Sequence, residues 1–217
     1  MNKLTRIAAG IVLAGSAMAS TSALAEVSYN IGYASEYHFR GILQKNSSAS
    51  AGVDYTEGGI YAGLWTADVG DGLEVDVYGG YGIELDSGFS VGLGFTGYYY
   101  TGDFDDTYQE INLNLGYNIA SLEYSIGKYD NFNGPKQDYD YLALTLTAES
   151  GIYGKYATFG QDADGDYIEV GYGTTVSDID LGIAGIFASK ELSDQVDANN
   201  GAPTSGQSIV FTVGKSF

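Results

Sequence analysis

Apolar and polar residues alternate over the first part of the chain. Apolar side chains occupy the odd positions from Val27 to Phe39, apart from Ser35, and polar or small residues occupy the even positions between them. A helix would spread these apolar side chains around its circumference, whereas a strand places them on one face. Residues 27–39 also exceed the usual strand length of about five or six residues. The pattern therefore predicts a long strand of the kind that crosses a membrane at a tilt.

The same period of two returns along the whole chain. Nine more segments have apolar residues at alternate positions: 49–55, 73–83, 89–99, 111–117, 122–126, 142–146, 168–176, 181–187 and 209–213. Residues 60–69 and 152–161 add two segments with weaker contrast. The pattern predicts twelve strands. Ten or fourteen stay open, because strand boundaries read from a sequence are uncertain by about two to four residues.

Short and long connections alternate between these segments. The short ones lie at 57–59, 86–88, 118–120, 149–151 and 177–178, and the longer ones at 41–47, 70–72, 101–106, 130–138, 162–165 and 190–206. Outer-membrane barrels have short turns at the end that carries both termini and longer loops at the other end. We therefore predict an all-β fold over residues 26–217, a closed antiparallel up-and-down transmembrane β-barrel in the bacterial outer membrane.

The residues before this barrel have the features of a secretory signal peptide. Lys3 and Arg6 precede an apolar run at 7–13, and Ala23 and Ala25 supply the small residues of a cleavage site. The apolar run is too short to serve as a stable membrane anchor. We expect residues 1–25 to be a signal peptide that directs export to the periplasm, with the mature chain beginning at Glu26.

Composition narrows the class of protein further. The 217-residue chain has 9 Lys plus Arg against 28 Asp plus Glu, a formal net charge of −19 and no Cys. A chain this acidic repels a phosphate backbone, so no nucleic-acid partner is expected. Without cysteine there is no disulfide, no thiolate metal site and no cysteine nucleophile. The 32 Gly residues suit the tight curvature of a closed sheet.

Charged residues avoid the apolar faces of the predicted strands. A charge that faces lipid at mid-bilayer costs about 2 to 4 kcal/mol, whereas a hydrated charge inside a barrel costs little. We therefore predict that a polar lumen is lined by Glu36, His38, Arg40, Asp54, Glu74, Asp76, Glu84, Glu110, Glu123, Lys155, Glu169 and Asp180. Aromatic residues near strand ends predict girdles at the membrane interfaces: Phe39, Tyr55, Phe89, Tyr98, Tyr99, Tyr100, Tyr117, Tyr153 and Phe217.

The single histidine has an alternative interpretation. Some outer-membrane barrels are lipid-modifying enzymes that use a histidine with a serine, and such a pair must lie within hydrogen-bond reach. The sequence does not place a serine beside His38. We favour a polar ladder of Glu36, His38 and Arg40 in the lumen, and we expect no catalysed reaction.

An acidic stretch at residues 162–166, followed by Glu169, resembles a calcium-binding loop. Spaced carboxylates suit a hard cation, but the glycine of such loops stands at the sixth position and the closing glutamate at the twelfth. Here Gly165 is fourth and Glu169 comes too early. We favour an ordinary acidic hairpin loop, and we expect neither a metal nor a cofactor.

Three segments near the N-terminus resemble a known family. Residues 30–44, 61–65 and 74–81 resemble the TorF-type porins of proteobacterial outer membranes. The recurring residues of that family match Ser35, Tyr37, Arg40, Gly41, Gln44, Gly63 and Trp65. The resemblance implies a pore without catalytic residues. Phe217 is similar to the C-terminal aromatic signal that barrel-assembly machinery reads in many outer-membrane proteins.

The predicted strand number also sets the size of a pore. Twelve tilted strands leave an opening of roughly 10 Å after inward side chains are subtracted, unless loops or long side chains fill it. Because acids outnumber Arg40 and Lys155, we expect passive diffusion of small hydrophilic solutes with a preference for cations. Outer-membrane lipids and lipopolysaccharide are the other expected partners. A non-conducting structural or adhesive barrel remains the alternative, and the sequence leaves the solute and the oligomeric state open.

Overall fold

The computed structural model describes residues 25–217, so the expected signal peptide lies outside the described residues except for Ala25. The described part of the chain forms strands and their connections. The twelve strands are β1 (Glu26–Phe39), β2 (Ile42–Glu57), β3 (Ile60–Gly70), β4 (Gly72–Glu84), β5 (Phe89–Tyr100), β6 (Tyr108–Tyr117), β7 (Ala120–Tyr129), β8 (Gln137–Thr147), β9 (Ile152–Gln161), β10 (Asp166–Val176), β11 (Ile179–Ala188) and β12 (Gly206–Ser216). Residues 25–217 include no helix long and apolar enough to cross a membrane.

The strands close into one barrel. Each strand pairs antiparallel with its neighbours in the chain, and β1 pairs with β12 to complete the ring. Short turns at 58–59, 85–88, 118–119, 148–151 and 177–178 lie at the end with both termini, which we call the turn end. Connections at 101–107, 130–136, 162–165 and 189–205 lie at the other end, which we call the loop end. The prediction of a closed twelve-stranded up-and-down barrel is confirmed.

The outer face of the barrel is apolar. Leu93, Ile111, Ile168 and Ile209 are among the large apolar side chains that lie about half exposed on this face. Their neighbours in the chain point inward, as the alternation along each strand requires. Such an apolar exterior is stable against lipid and would be unstable in water, so the fold is that of a transmembrane β-barrel.

Glycines on the inner wall make room for tyrosine rings that lie flat against it. Gly63 on β3 lies directly opposite Tyr78 on β4, and Gly127 on β7 lies directly opposite Tyr139 on β8. A methyl group on either glycine would come within 2.5 Å of the partner ring. The pairing of a residue without a side chain and a large planar one keeps the wall thin and the lumen compact.

The close approach of β5 to β4 predicts a sharp effect of one glycine substitution. A methyl group at Gly80 would lie 2.4 Å from the Leu93 carbonyl oxygen, and backbone cannot move aside as a side chain can. We expect Gly80→Ala to lower the free energy of unfolding by about 1–3 kcal/mol, as overpacking does. The measurement is denaturant unfolding in detergent micelles. Gly154→Ala is the control, because nothing lies within 4 Å of that position and little change is expected.

The first hairpin departs from the prediction. β1 and β2 pair with each other up to Phe39 and Ile42. However, β1 pairs with β12 no further than Ala34, and β2 joins β3 only from Ser50 onward. The intervening residues 35–49, which we call the inner hairpin, therefore leave the barrel wall. The loop expected at 41–47 is wrong, since the two strands meet in a turn at Arg40 and Gly41.

The inner hairpin also changes the position of several aromatic residues. Tyr37 and Phe39 were expected to face lipid, but Tyr37 is buried against Trp65, with ring centroids 5.8 Å apart. Phe39 packs edge-on against Tyr98 at 5.1 Å. Tyr98 and Tyr153, expected in an interfacial girdle, are also buried inside the barrel. Those four assignments are wrong, as is that of Tyr100, whose hydroxyl donates to the buried Glu74. Tyr37 and Phe39 meet the inner wall because the hairpin bends inward, whereas Tyr98, Tyr100 and Tyr153 point inward from the wall strands β5 and β9.

Candidate functional site

The inner hairpin fills the lumen at the loop end. Its Tyr37 packs with residues of β3, and Phe39, Tyr78 and Tyr100 surround that cluster. On the other side Ile42 packs on a second cluster that lines β8 to β12. The members of the second cluster are Tyr141, Ala143, Ala157, Tyr167, Ile186, Ala188, Leu192 and Val210. The hairpin is thus held between two apolar patches of the inner wall, and apolar burial stabilises it there.

The connection between β11 and β12 adds to this closure. Leu192 belongs to the second cluster and is buried, although it lies in the 189–205 loop. The backbone N–H of Asn199 donates to the Asp197 carboxylate at 2.7 Å in the same loop. That hydrogen bond lowers the pKa of Asp197, because it favours the charged form. The loop therefore reaches back over the loop end with an ordered turn of its own.

Arg40 at the tip of the hairpin crosses the lumen to the opposite wall. Its Nη1 and Nη2 donate to the two carboxylate oxygens of Glu110, both at 2.8 Å. Nη2 also donates to Glu123 at 2.9 Å and to Ser125 at 3.3 Å. The guanidinium carbon lies 4.1 Å from the centre of the Tyr141 ring. Two carboxylates and an aromatic face together satisfy a buried guanidinium, of which only 8% is exposed.

Glu110 is held by the barrel wall independently of Arg40. Tyr98 donates its hydroxyl to Glu110 at 2.8 Å, and Tyr139 does so at 3.0 Å. Asn112 adds a third donor at 2.7 Å. Asn112 is oriented in turn by Thr96, whose hydroxyl donates to its amide oxygen at 2.9 Å. These partners lie on β5, β6 and β8, so the position of the carboxylate does not depend on the hairpin.

The turn that presents Arg40 has an unusual composition. Arg40 and Gly41 have φ values of 48° and 86°, as both central residues of a type I′ turn must. Asparagine or glycine is the usual first residue, because a positive φ strains other side chains. Gly41 is required for a second reason, since a methyl group there would lie 2.7 Å from the Tyr167 ring. Arginine at this position is explained by its contacts across the lumen and not by the turn.

Two of the predicted lumen acids lie under the hairpin. Glu74 is fully buried and accepts hydrogen bonds from Tyr37 and, at 2.9 Å, from Tyr100. Asp76 is also fully buried, but neither of its carboxylate oxygens has a hydrogen-bond partner among the described residues. Tyr98 pairs with Asp76 across β4 and β5, which places this acid beside the tyrosine that holds Glu110.

Of the other predicted lumen residues, Asp54, Glu84, Lys155 and Asp180 lie nearer the turn end, whereas Glu169 lies in the loop-end half of β10. Asp54 accepts from Tyr78 and, at 3.2 Å, from Asn30. Lys155 lies 3.7 Å from Glu169. The other two acids are Asp180 and Glu84, and Glu84 is exposed. Glu169 also accepts from the Tyr153 hydroxyl at 2.5 Å. The structure therefore groups Asp54, Glu84, Lys155 and Asp180 nearer the turn end, apart from the hydrogen bonds of Arg40.

His38 takes part in only half of the expected ladder. Its Nε2 lies 3.0 Å from Glu36, but its Nδ1 is buried without a partner among the described residues. Arg40 points away to Glu110. Within residues 25–217 the His38 ring hydrogen-bonds to Glu36 and to no serine, so the contacts of a serine–histidine pair are not present there.

The acidic stretch at 162–166 does not gather metal ligands with Glu169. Glu169 points into the lumen toward Tyr153 and Lys155, while Gly165 packs near Leu192 at the loop end. Over residues 25–217, no group of three or more His, Asp or Glu side chains is placed to hold a metal ion.

The inward tyrosines are the functional residues that sequence reasoning missed. Tyr139, Tyr141 and Tyr167 are buried in the lumen, and the Tyr141 and Tyr167 hydroxyls lie 2.7 Å apart. Only charged residues were assigned to the lumen from sequence. Their position on the face opposite the apolar one was the available signal, since Tyr139 and Tyr141 alternate with outward Leu142 and Leu144.

Comparisons with other proteins give a family and similar folds. The family described as "Bacterial protein of unknown function (Gcw_chp)" matches residues 18–217. No curated protein matches the sequence. The solved outer-membrane protein OprD of Pseudomonas aeruginosa is similar at 14% identity and a TM-score of 0.43, covering 89% of this chain and 66% of that chain.

Two further solved structures have comparable scores. OpdK, an outer-membrane protein of Pseudomonas aeruginosa, is 11% identical with a TM-score of 0.41, covering 80% of this chain and 58% of that chain. OccAB2 of Acinetobacter baumannii is 12% identical with a TM-score of 0.40, covering 87% and 59%. The chain therefore spans about two thirds of the length of OprD and less of the other two.

Proposed function

The chain belongs to the Gcw_chp family of bacterial proteins, and on that premise we propose that it is a channel of the bacterial outer membrane for small hydrophilic solutes. In the described state the inner hairpin closes the channel at the loop end. The observation that carries the proposal is a closed barrel with an apolar exterior and an acidic interior. Charged groups inside a barrel are costly unless they are paired or unless water or permeating ions reach them.

We expect a preference for cations from the charges nearer the turn end. Asp54, Glu84 and Asp180 lie there on the inner face, with Lys155 as the basic residue opposite Glu169. A ring of carboxylates raises the local concentration of cations and lowers that of anions. The resemblance of residues 30–44 to TorF-type porins is in accord with this function and stays a prediction.

Export and assembly belong to the same proposal. Residues 1–25 would direct the chain to the periplasm, and Phe217 would be read by barrel-assembly machinery. In the folded barrel Phe217 is exposed, and its backbone exchanges hydrogen bonds with Tyr29 at 2.9 and 3.2 Å. Outer-membrane lipids and lipopolysaccharide would contact the apolar exterior.

Ion selectivity is tested by reversing charge at the turn end. Glu74 and Asp76 are unsuitable, because both are buried and a lysine there would disturb folding. Glu84→Lys with Asp180→Lys is expected to shift the reversal potential in a salt gradient toward that of anions. The measurement is a planar-bilayer recording. Both substitutions are made in the variant in which Asn-Gly replaces residues 36–46, because that variant is expected to conduct.

A charge-matched control uses acids at the same end but outside the lumen. Glu57 and Glu149 lie at turns of the turn end and are exposed. Changing both to Lys alters the net charge equally and is expected to leave the reversal potential nearly unchanged. Equal shifts in the two double variants would contradict conduction past Glu84 and Asp180.

One observation favours a second candidate, a non-conducting structural barrel. The inner hairpin and the Arg40 network fill the loop-end half, as they would in a barrel that never opens. Failure of the hairpin-shortened barrel to conduct would favour this alternative.

A further inference from the structure

The cavity that receives Arg40 is formed by the wall, and the hairpin only supplies its occupant. Glu110, Glu123 and Ser125 accept hydrogen bonds from the guanidinium, and Tyr141 supplies an aromatic face. Each of these residues lies on β6, β7 or β8. If the hairpin moved away, the wall would still present two carboxylates and an aromatic ring in the same arrangement.

That arrangement is preorganised for a guanidinium. Glu110 keeps its three donors Tyr98, Asn112 and Tyr139 when Arg40 is absent. A carboxylate fixed in this way binds the two parallel N–H groups of a guanidinium with little further ordering. The planar cation also stacks on an aromatic face, which a spherical cation does less well.

The acidic groups of the cavity outnumber the single positive charge of Arg40. Glu110 and Glu123 already provide two carboxylates to one guanidinium. Asp76, beside Tyr98, is a third acidic side chain there, fully buried and without a partner among the described residues. A cation brought close to such an acid stabilises its charged form, so the region favours a positively charged guest.

The cavity also has a route of access. Glu123 keeps 20% of its side chain exposed, whereas that of Glu110 is fully buried. Glu123 lies in the first half of β7, on the turn-end side of Arg40. A solute that enters from the turn end therefore meets Glu123 first and reaches Glu110 only by displacing Arg40.

We propose that this cavity is a binding site for guanidinium-bearing solutes and that Arg40 is its built-in competitor. The site rests on the proposed channel function, for which it names the solute class. A solute with a guanidinium group takes the place of Arg40, releases the tip of the inner hairpin and so favours the open state. The strained turn at Arg40 is in accord with this role, because it presents a side chain at a cost in backbone conformation.

The test is chemical rescue of Arg40→Ala. The mature chain is refolded in detergent, and its melting temperature is measured with about 10 mM guanidinium chloride, roughly tenfold above a millimolar dissociation constant. We expect guanidinium to raise the melting temperature of Arg40→Ala by about 4 °C. Urea, a neutral molecule of the same shape, and sodium chloride at equal ionic strength are the controls and should raise it by much less. Wild type, whose site is occupied, should not respond.

The outcomes separate this site from the channel function. A response to urea equal to that to guanidinium, or an equal response of wild type, would overturn the site. Where Arg40→Ala does not fold, the same titration on the variant lacking residues 36–46 decides, and no selective rise there also overturns it. Selective stabilisation without ion current in that shortened variant would support the site and reject the channel. Ion current without selective stabilisation would support the channel and reject the site.

Discussion

Shortening the inner hairpin is expected to turn a closed barrel into a conducting one. The variant replaces residues 36–46 with Asn-Gly, which joins the two strands by a type I′ turn close to the pair Ala34 and Ser48. This removes Tyr37, Phe39, Arg40 and Ile42 from the lumen together. Twelve strands then enclose an opening of roughly 10 Å, so conductance in a planar bilayer should rise by about tenfold or more over wild type.

Two controls support that measurement. Replacing the tip of the exposed 130–136 connection with Asn-Gly changes a loop at the same end and should leave conductance at the wild-type level. Slower migration after boiling in detergent gels reports whether each variant has folded. A shortened hairpin that folds and conducts no better than wild type would show that something other than this hairpin closes the barrel.

Removing the Arg40 side chain is expected to cause the largest loss of stability among single substitutions. Arg40→Ala leaves the buried Glu110 without its positive partner, and breaking a buried ion pair on one side costs about 3–5 kcal/mol. The measurement is the free energy of unfolding in urea, with the protein in detergent micelles. Adding Glu110→Gln should recover part of the loss, because the unpaired charge is then gone.

An exposed ion pair gives the matched control for Arg40. Lys136 lies 2.6 Å from Asp130, and both side chains are largely exposed. Lys136→Ala should change the free energy of unfolding by less than about 1 kcal/mol. If Arg40→Ala and Lys136→Ala lowered the free energy of unfolding by similar amounts, that would contradict a central role for the Arg40 network in holding the hairpin.

The barrel could be predicted from the sequence because alternation is a local property. Segments such as 89–99 and 111–117 place apolar and polar residues on opposite faces without reference to any other part of the chain. The short turns at the turn end were similarly readable from clusters of Gly, Asn, Asp and Ser. Strand number and connection order then follow, since sequential antiparallel strands pair as neighbours.

The inner hairpin could not be predicted for the opposite reason. Tyr37 and Phe39 continue the apolar face of β1 without a break, so nothing local distinguishes a ring that faces lipid from one that packs inside. Their packing depends on Trp65 and Tyr98, which lie far along the chain. The 41–47 segment lacks alternation, with Gly41 buried, residues 42–45 half-buried and Asn46 and Ser47 exposed, and it therefore resembled a loop.

The candidate site was predictable in its acids but not in its arrangement. Glu110 and Glu123 were assigned to the lumen by position, and Arg40 as well. Which acid pairs with Arg40 depends on the hairpin crossing to β6 and β7, a tertiary contact that no spacing reveals. Tyr139 had a usable signal, because it pairs in register with Gly127, and such a glycine leaves room for a large inward ring.

The narrow seam that closes the ring has a mechanical consequence. β1 and β12 pair over residues 30–34 and 212–216, with two further backbone hydrogen bonds between Tyr29 and Phe217, so this joint is shorter than the ladder between β11 and β12 and resists separation less. Arg40 follows β1, one strand of that joint, and its side chain hydrogen-bonds to Glu110 and Glu123 on the opposite wall. In the proposed channel, moving Arg40 out of the lumen would open the passage and would also remove a contact that braces this joint. Permeability and mechanical strength of such a channel are therefore set against each other by a single side chain.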